Sequence, residues 1–164
     1  MKQIQLPDIR TIDAMVEDIQ KLTDLKPPFV NIQNISRALG GTVLVTNTNA
    51  IRKVGNEFII EIKEGGNKDQ KFFEMLGYLF IIMGYRIDKD LWKKAKYSDL
   101  LFIKNHIYLE YFANSFRMPK QEFLRIWEFY RNDITVDTNA VADHFQVSFD
   151  LVIKRAKSLE LYQN

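Results

Sequence analysis

From residue 9 to residue 25 the apolar positions Ile12, Met15, Val16, Ile19 and Leu22 recur at three- and four-residue steps, which predicts an amphipathic helix. Lys26-Pro27-Pro28 stops it, because proline cannot continue a helix and restricts the residue before it. Residues 31–39 predict a short helix capped by Asn31, with Ile32, Ile35 and Leu39 facing inward and Gly40-Gly41 ending it. The period then changes. Residues 42–46 and 51–54 and the stretch Glu57–Lys63 read as three short antiparallel strands, the last two joined by a Gly55-Asn56 turn. In the third strand Phe58, Ile60 and Ile62 alternate with mostly polar neighbours, so one sheet face needs a cover. The helix predicted over 69–83 supplies it, being apolar nearly all round beyond Met75.

Beyond Gly84 the pattern is helical again. A charged stretch at 88–96 predicts a short surface helix, and 100–116 a longer one ended by Met118-Pro119. Pro119 opens the next helix, whose aromatic row Phe123, Trp127 and Tyr130, with Ile126, reads as packing rather than a ligand cage. Residues 138–145 and 148–159 form a final pair around a Gln146-Val147 turn, with Ser148 as cap. The expected class is α+β: a small antiparallel sheet on a central helix, with mostly helical terminal parts. A boundary near 132–135 separates a main domain, 1–132, from a helix-turn-helix-like pair, 133–164, packed on the same domain.

At 164 residues, 46% of them hydrophobic, the chain is long enough to bury a core. A net charge of +2 is too small to imply nucleic-acid or membrane binding by bulk electrostatics. The absence of cysteine excludes disulfides and thiolate zinc sites, and His106 and His144 are the only imidazoles. The apolar run 76–83 is too short to span a bilayer, and the first residues lack a signal core, so a cytoplasmic protein is expected.

The stretch Gln70-Lys71-Phe72-Phe73-Glu74-Met75-Leu76-Gly77-Tyr78-Leu79-Phe80-Ile81 has the apolar frame of a metallopeptidase helix. In such helices His-Glu-x-x-His binds zinc through both histidines, and the glutamate polarises water. Three other segments keep the same company in the same order. They are Pro27-Pro28-Phe29-Val30-Asn31-Ile32 with Ala38-Leu39-Gly40, Phe112-Ala113-Asn114-Ser115-Phe116-Arg117-Met118-Pro119, and Val141-Ala142-Asp143-His144-Phe145-Gln146-Val147-Ser148. Together they resemble the ImmA/IrrE family of zinc-dependent peptidases, found in phages and mobile elements beside helix-turn-helix repressors. The resemblance covers nearly the whole chain and implies a zincin-like fold.

The resemblance also implies where the chemistry would sit, and the expected residues are missing. Glu74 and Tyr78 stand at the two zinc histidines, Met75 at the catalytic glutamate and Tyr108 at the third ligand. Methionine cannot accept a proton, and tyrosine, with an ordinary pKa of about 10, is a poor zinc ligand at neutral pH. Zinc and peptidase activity are therefore not expected. Glu74 is expected to bond to Tyr78 or Tyr108 and fill the vacated pocket. His106 and Glu110, four apart on one helix face, offer an acidic cluster with Glu74, although an exposed His106 and a solvated Glu110 are the plainer expectation. The implied function is a pseudo-enzyme: a protein-binding regulator acting on a repressor- or antitoxin-like partner. Two alternatives stay open. One is a divergent zinc-dependent endopeptidase that cleaves a helix-turn-helix repressor. The other is a DNA-associated regulator whose Lys154, Arg155 and Lys157 would meet phosphates.

Overall fold

Side-chain caps set several of the helix starts. In a computed structural model that describes residues 6–87 and 96–162, Asn31 Oδ1 accepts from the Asn34 amide at 3.1 Å and opens α2 (Ile32–Ala38). Before it, a 3-10 turn at Ile9–Thr11 leads into α1 (Ile12–Thr23), which buries Ile12, Val16 and Ile19. Leu22, placed by its spacing on the same stripe, is instead 64% exposed. Gly40 follows α2 with φ at 97°, the left-handed conformation that lets the chain leave the helix and enter the sheet.

The sheet comprises β1 (Gly41–Thr46), β2 (Ala50–Val54) and β3 (Glu57–Lys63). Its order is β1-β3-β2, with β2 antiparallel to β3 and β1 parallel to it. This corrects the expected all-antiparallel sheet. A short turn ordinarily joins neighbouring strands, but residues 47–49 carry the chain over the end of β3 to its far edge. Asn49 Oδ1 accepts the Lys63 amide at 2.9 Å there, and Thr46 O accepts the Glu64 amide at 2.8 Å. The central place suits β3, whose Phe58, Ile60 and Ile62 are all buried, while β1 and β2 each keep exposed residues at the edges.

Asn67 caps α3 (Lys68–Gly77), which continues as a π-helical turn, Tyr78–Ile82. Phe72, Phe73, Met75 and Leu76 are fully buried. Gly77 marks the crossing with α5 (His106–Arg117), since a Cβ there would lie 3.1 Å from Phe112 Cβ. The single helix expected over 100–116 is two, α4 (Asp99–Lys104) and α5. Asn105 Nδ2 donates to Leu101 O at 2.8 Å, competing for a helix carbonyl, and the chain re-aims at that residue. The surface helix expected at 88–96 falls almost wholly outside the described residues.

Pro119 is the N-cap of α6 (Lys120–Phe129), and α7 (Thr138–Phe145) and α8 (Phe149–Ser158) complete the chain as described. The fold is thus α+β. Its buried apolar residues form two clusters, one running from Ile12 to Phe116 and a smaller one from Met118 to Ala156. Phe123 of α6 stacks on Phe145 of α7 at 5.8 Å, so α6 shares its core with the final helix pair.

Polar contacts join the two clusters. Arg155 of α8 is 1% exposed, and its Nη2 lies 2.5 Å from Asp13 Oδ1 on α1. Ser115 Oγ and Tyr111 OH of α5 each donate to the same carboxylate at 2.6 Å, and Arg155 Nε donates to Met118 O at 3.0 Å. Burial alone would raise the Asp13 pKa, but the Arg155 charge and the three hydrogen bonds outweigh it and hold the group below the usual carboxylate range. Removing one partner by Arg155→Met or Asp13→Ala should cost about 3–5 kcal/mol in urea unfolding, because the other charge stays buried alone. The depressed pKa fixes the sign of the pH effect. Stability from Asp13 is present above the unfolded carboxylate pKa of about 4 and is lost as pH falls through the folded value. Asp13→Asn should flatten that acid limb, and an unchanged limb would show that other carboxylates carry it.

Candidate functional site

Positions 74, 75 and 78 of one helical run send their side chains to three different places. Glu74 is 8% exposed and faces α5. Gln70 Nε2 donates to it at 3.3 Å, and His106 Nε2 lies 3.5 Å from the same oxygen. Met75 is fully buried in the main apolar cluster. Tyr78 points toward the segment before α4, donating to Lys96 O at 2.8 Å and accepting from the Ser98 amide at 3.1 Å. Its ring meets Tyr97 at 5.0 Å and stacks on Phe102 at 6.5 Å. Burial pushes the Tyr78 phenol pKa upward, away from the phenolate that would bind a metal.

The expected bond from Glu74 to Tyr78 or Tyr108 is therefore replaced. Tyr108 is half-buried against the main cluster, and its hydroxyl has no hydrogen bond among the described residues. Glu74 pairs with Gln70 and His106 because Asn105 restarts the helix one residue before His106 and aims the ring at α3. His106 is exposed at the first residue of α5 and Glu110 is partly exposed, in line with the plainer expectation, and both also have near neighbours. His106 Nδ1 lies 3.9 Å from Glu110 Oε2 while Nε2 faces Glu74. Lys154 of α8 then closes on Glu110 at 2.8 Å, and that contact raises the lysine pKa.

Glu74, His106, Glu110 and Lys154 thus form a polar row across α3, α5 and α8, with the imidazole between two carboxylates and the lysine beyond. Each ring nitrogen of His106 faces a different carboxylate, so the three acid and imidazole groups do not aim at one point. Among the described residues no three His, Asp or Glu side chains are placed to hold a metal ion. What the row offers is polar complementarity to charged side chains.

The row continues inward. Gln70, bonded to Glu74 through Nε2, accepts from Arg117 Nη1 through Oε1 at 3.2 Å. His106, Glu110, Asn114 and Arg117 share one face of α5 by their spacing. Gln70, Asn114 and Arg117 were not singled out by sequence reasoning, although polar residues at four-residue steps inside an apolar frame were the available signal. The cations that the DNA-binding alternative would place on phosphates are mostly engaged: Arg155 is buried against Asp13 and Lys154 is bonded to Glu110, while Lys157 stays exposed. His144 lies 3.3 Å from Glu122 of α6, a link within the C-terminal cluster.

No protein-family model matches this chain, and no curated protein does. Among solved structures it is similar to a Mycobacterium tuberculosis transcriptional regulator, at 18% identity and a TM-score of 0.56. The match covers 90% of this chain and 46% of that one, so the chain spans less than half the length of its neighbour. At that identity the likeness is one of fold alone.

The two tyrosines make the arrangement testable. Tyr78→Phe should cost about 1–3 kcal/mol, because it leaves the Lys96 carbonyl and the Ser98 amide without their partner. Tyr108→Phe should stay within about 0.5 kcal/mol. Equal losses in urea midpoints would mean that the Tyr78 hydroxyl does not hold this segment.

Proposed function

We propose that this chain is a non-catalytic relative of the ImmA/IrrE peptidases that works as a protein-binding regulator. Its partner, on this reading, is a helix-turn-helix repressor or an antitoxin-like protein. The observation that carries the proposal is the scatter of positions 74, 75 and 78. Glu74 is bound into a polar row, Met75 lies in the core, and the Tyr78 hydroxyl is spent on backbone groups. Zinc hydrolysis needs three protein ligands and an open position that share one centre, with a base beside them. These side chains meet neither condition, so zinc has no part in the proposed function.

The polar row supports binding. His106, Glu110 and Lys154 present partly exposed polar and charged groups on structured helices, with Glu74 buried behind them, which suits complementary side chains. The likeness to a transcriptional regulator is compatible with a regulatory role without naming what is regulated.

The decisive measurement mixes the purified chain with a repressor-type protein from the same genomic neighbourhood. Light scattering after size exclusion should show a complex, and intact mass should show an uncleaved partner with or without added zinc. Lys154→Glu should weaken the complex roughly tenfold by placing like charges together. Chelator-sensitive fragments of the partner would establish the active peptidase instead, and the absence of any complex would remove the partner reading.

A further inference from the structure

Two arginines are buried in this structure, and only one is neutralised. Arg155 has Asp13. Arg117, near the end of α5, is 7% exposed and forms no ion pair among the described residues. Its Nη1 donates to Gln70 Oε1, its guanidinium lies 5.2 Å from the Phe73 ring centroid, and its buried Nε has no acceptor. Burial depresses its pKa, and the nearby Asp69 offsets that only in part. A buried guanidinium without a carboxylate partner is a costly thing for a fold to keep.

The same side chain borders a cavity of about 270 Å³. Asn67 and Asp69 from the start of α3 line it on one side, and Gln146 and Ser148 from the α7–α8 turn line it on the other. Asn67 and Ser148 are the N-caps of two ten-residue helices, so the positive ends of both macrodipoles adjoin this space. Asp69 and Asp143 also line it, which disfavours a multiply charged anion.

We propose that this cavity binds a single carboxylate, seated on Arg117 and supplied by a small organic acid or by an acidic side chain of a bound peptide. A planar carboxylate suits the guanidinium of Arg117, which lines the cavity. It also brings one negative charge to a buried cation that has no ion-pair partner and only Asp69 nearby. The site is linked to the Glu74–His106 row through Gln70 but does not depend on the partner reading above.

The test observes the Arg117 Nε–H resonance of the full ¹⁵N-labelled chain at constant ionic strength. Acetate, inorganic phosphate, sodium chloride and an end-blocked Ala-Glu-Ala tripeptide are titrated separately. A saturable shift with acetate, and little with phosphate or chloride, is expected. Acetate acting alone would point to a small acid, whereas acetate and tripeptide acting alike would point to an acidic side chain. No saturable shift with either carboxylate, or an equal response to chloride, overturns the proposal. Arg117→Lys, which keeps the charge and loses the fork, should weaken acetate roughly tenfold. If that variant fails to fold, Asp143→Asn leaves Arg117 intact and should tighten acetate about twofold by removing a nearby negative charge. An unchanged affinity in Asp143→Asn would place the carboxylate elsewhere.

Discussion

Asp13 and Arg155 stand 142 residues apart in sequence and meet in a site that solvent barely reaches. Two charges removed from water are costly, and hydrogen bonds to their other donors and lone pairs offset part of that cost, here for all but the buried Arg155 Nη1. Ser115 and Tyr111 complete the carboxylate, and the Met118 carbonyl takes the guanidinium Nε, so α1, α5 and α8 are held in one relation. Gln20, seven residues beyond Asp13, donates to Phe116 O at 2.7 Å and fixes the same helix pair a second time. The apolar residues divide into two clusters at this level of the molecule, so polar contacts with strict geometry, more than shared hydrophobic area, set how the C-terminal helices lie.

Helix α5 is the element that both polar systems share. Tyr111 and Ser115 reach toward Asp13, while His106, Glu110 and Arg117 look toward α3 and α8. The close crossing at Gly77 brings Gln70 and Glu74 within reach of that second face, which makes one glycine a condition of the polar row. α8 takes part in both systems through consecutive residues, Lys154 on Glu110 and Arg155 on Asp13. A shift of α8 that broke the buried pair would also pull Lys154 from the polar row. The docking of the C-terminal helices and the chemistry of the row are therefore coupled.

What could be read from the sequence follows the range of each interaction. The caps at Asn31 and Ser148 and the stop at Pro119 act within a few residues, and the helix starts they predict are found. Strand order is not a local property. Nothing in residues 47–49 announces that they pass over β3, because what decides it is which strand gains most from burial on both edges. Asn105 was legible only as one polar residue in a helical stretch, yet its side-chain bond to Leu101 O splits that stretch in two. In the site, the pairing of His106 with Glu110 was visible in their spacing, whereas the arrival of Glu74 depends on a helix crossing. Arg155 was the least legible of all. It sits between Lys154 and Lys157 with no local mark to distinguish it, and its partner lies near the other end of the chain.

The two buried arginines show why the site cannot be inferred from fold similarity. Both sit at helix contacts, and both would be taken for structural cations on burial alone. Arg155 has Asp13 bonded to it, with Ser115 and Tyr111 completing that carboxylate, so its charge is consumed in holding helices together. Each arginine lies over an aromatic ring and keeps one donor unmet, but Arg117 has a neutral amide where Arg155 has a carboxylate, so the fold has kept a charge that its own packing does not use. A likeness of backbone cannot register that difference, since it lies in which acceptors surround a guanidinium and not in where the helix runs. The side chains at positions 74, 75 and 78 make the same point. They leave one helical run for α5, the core and the segment before α4, and the path of the backbone does not announce which goes where.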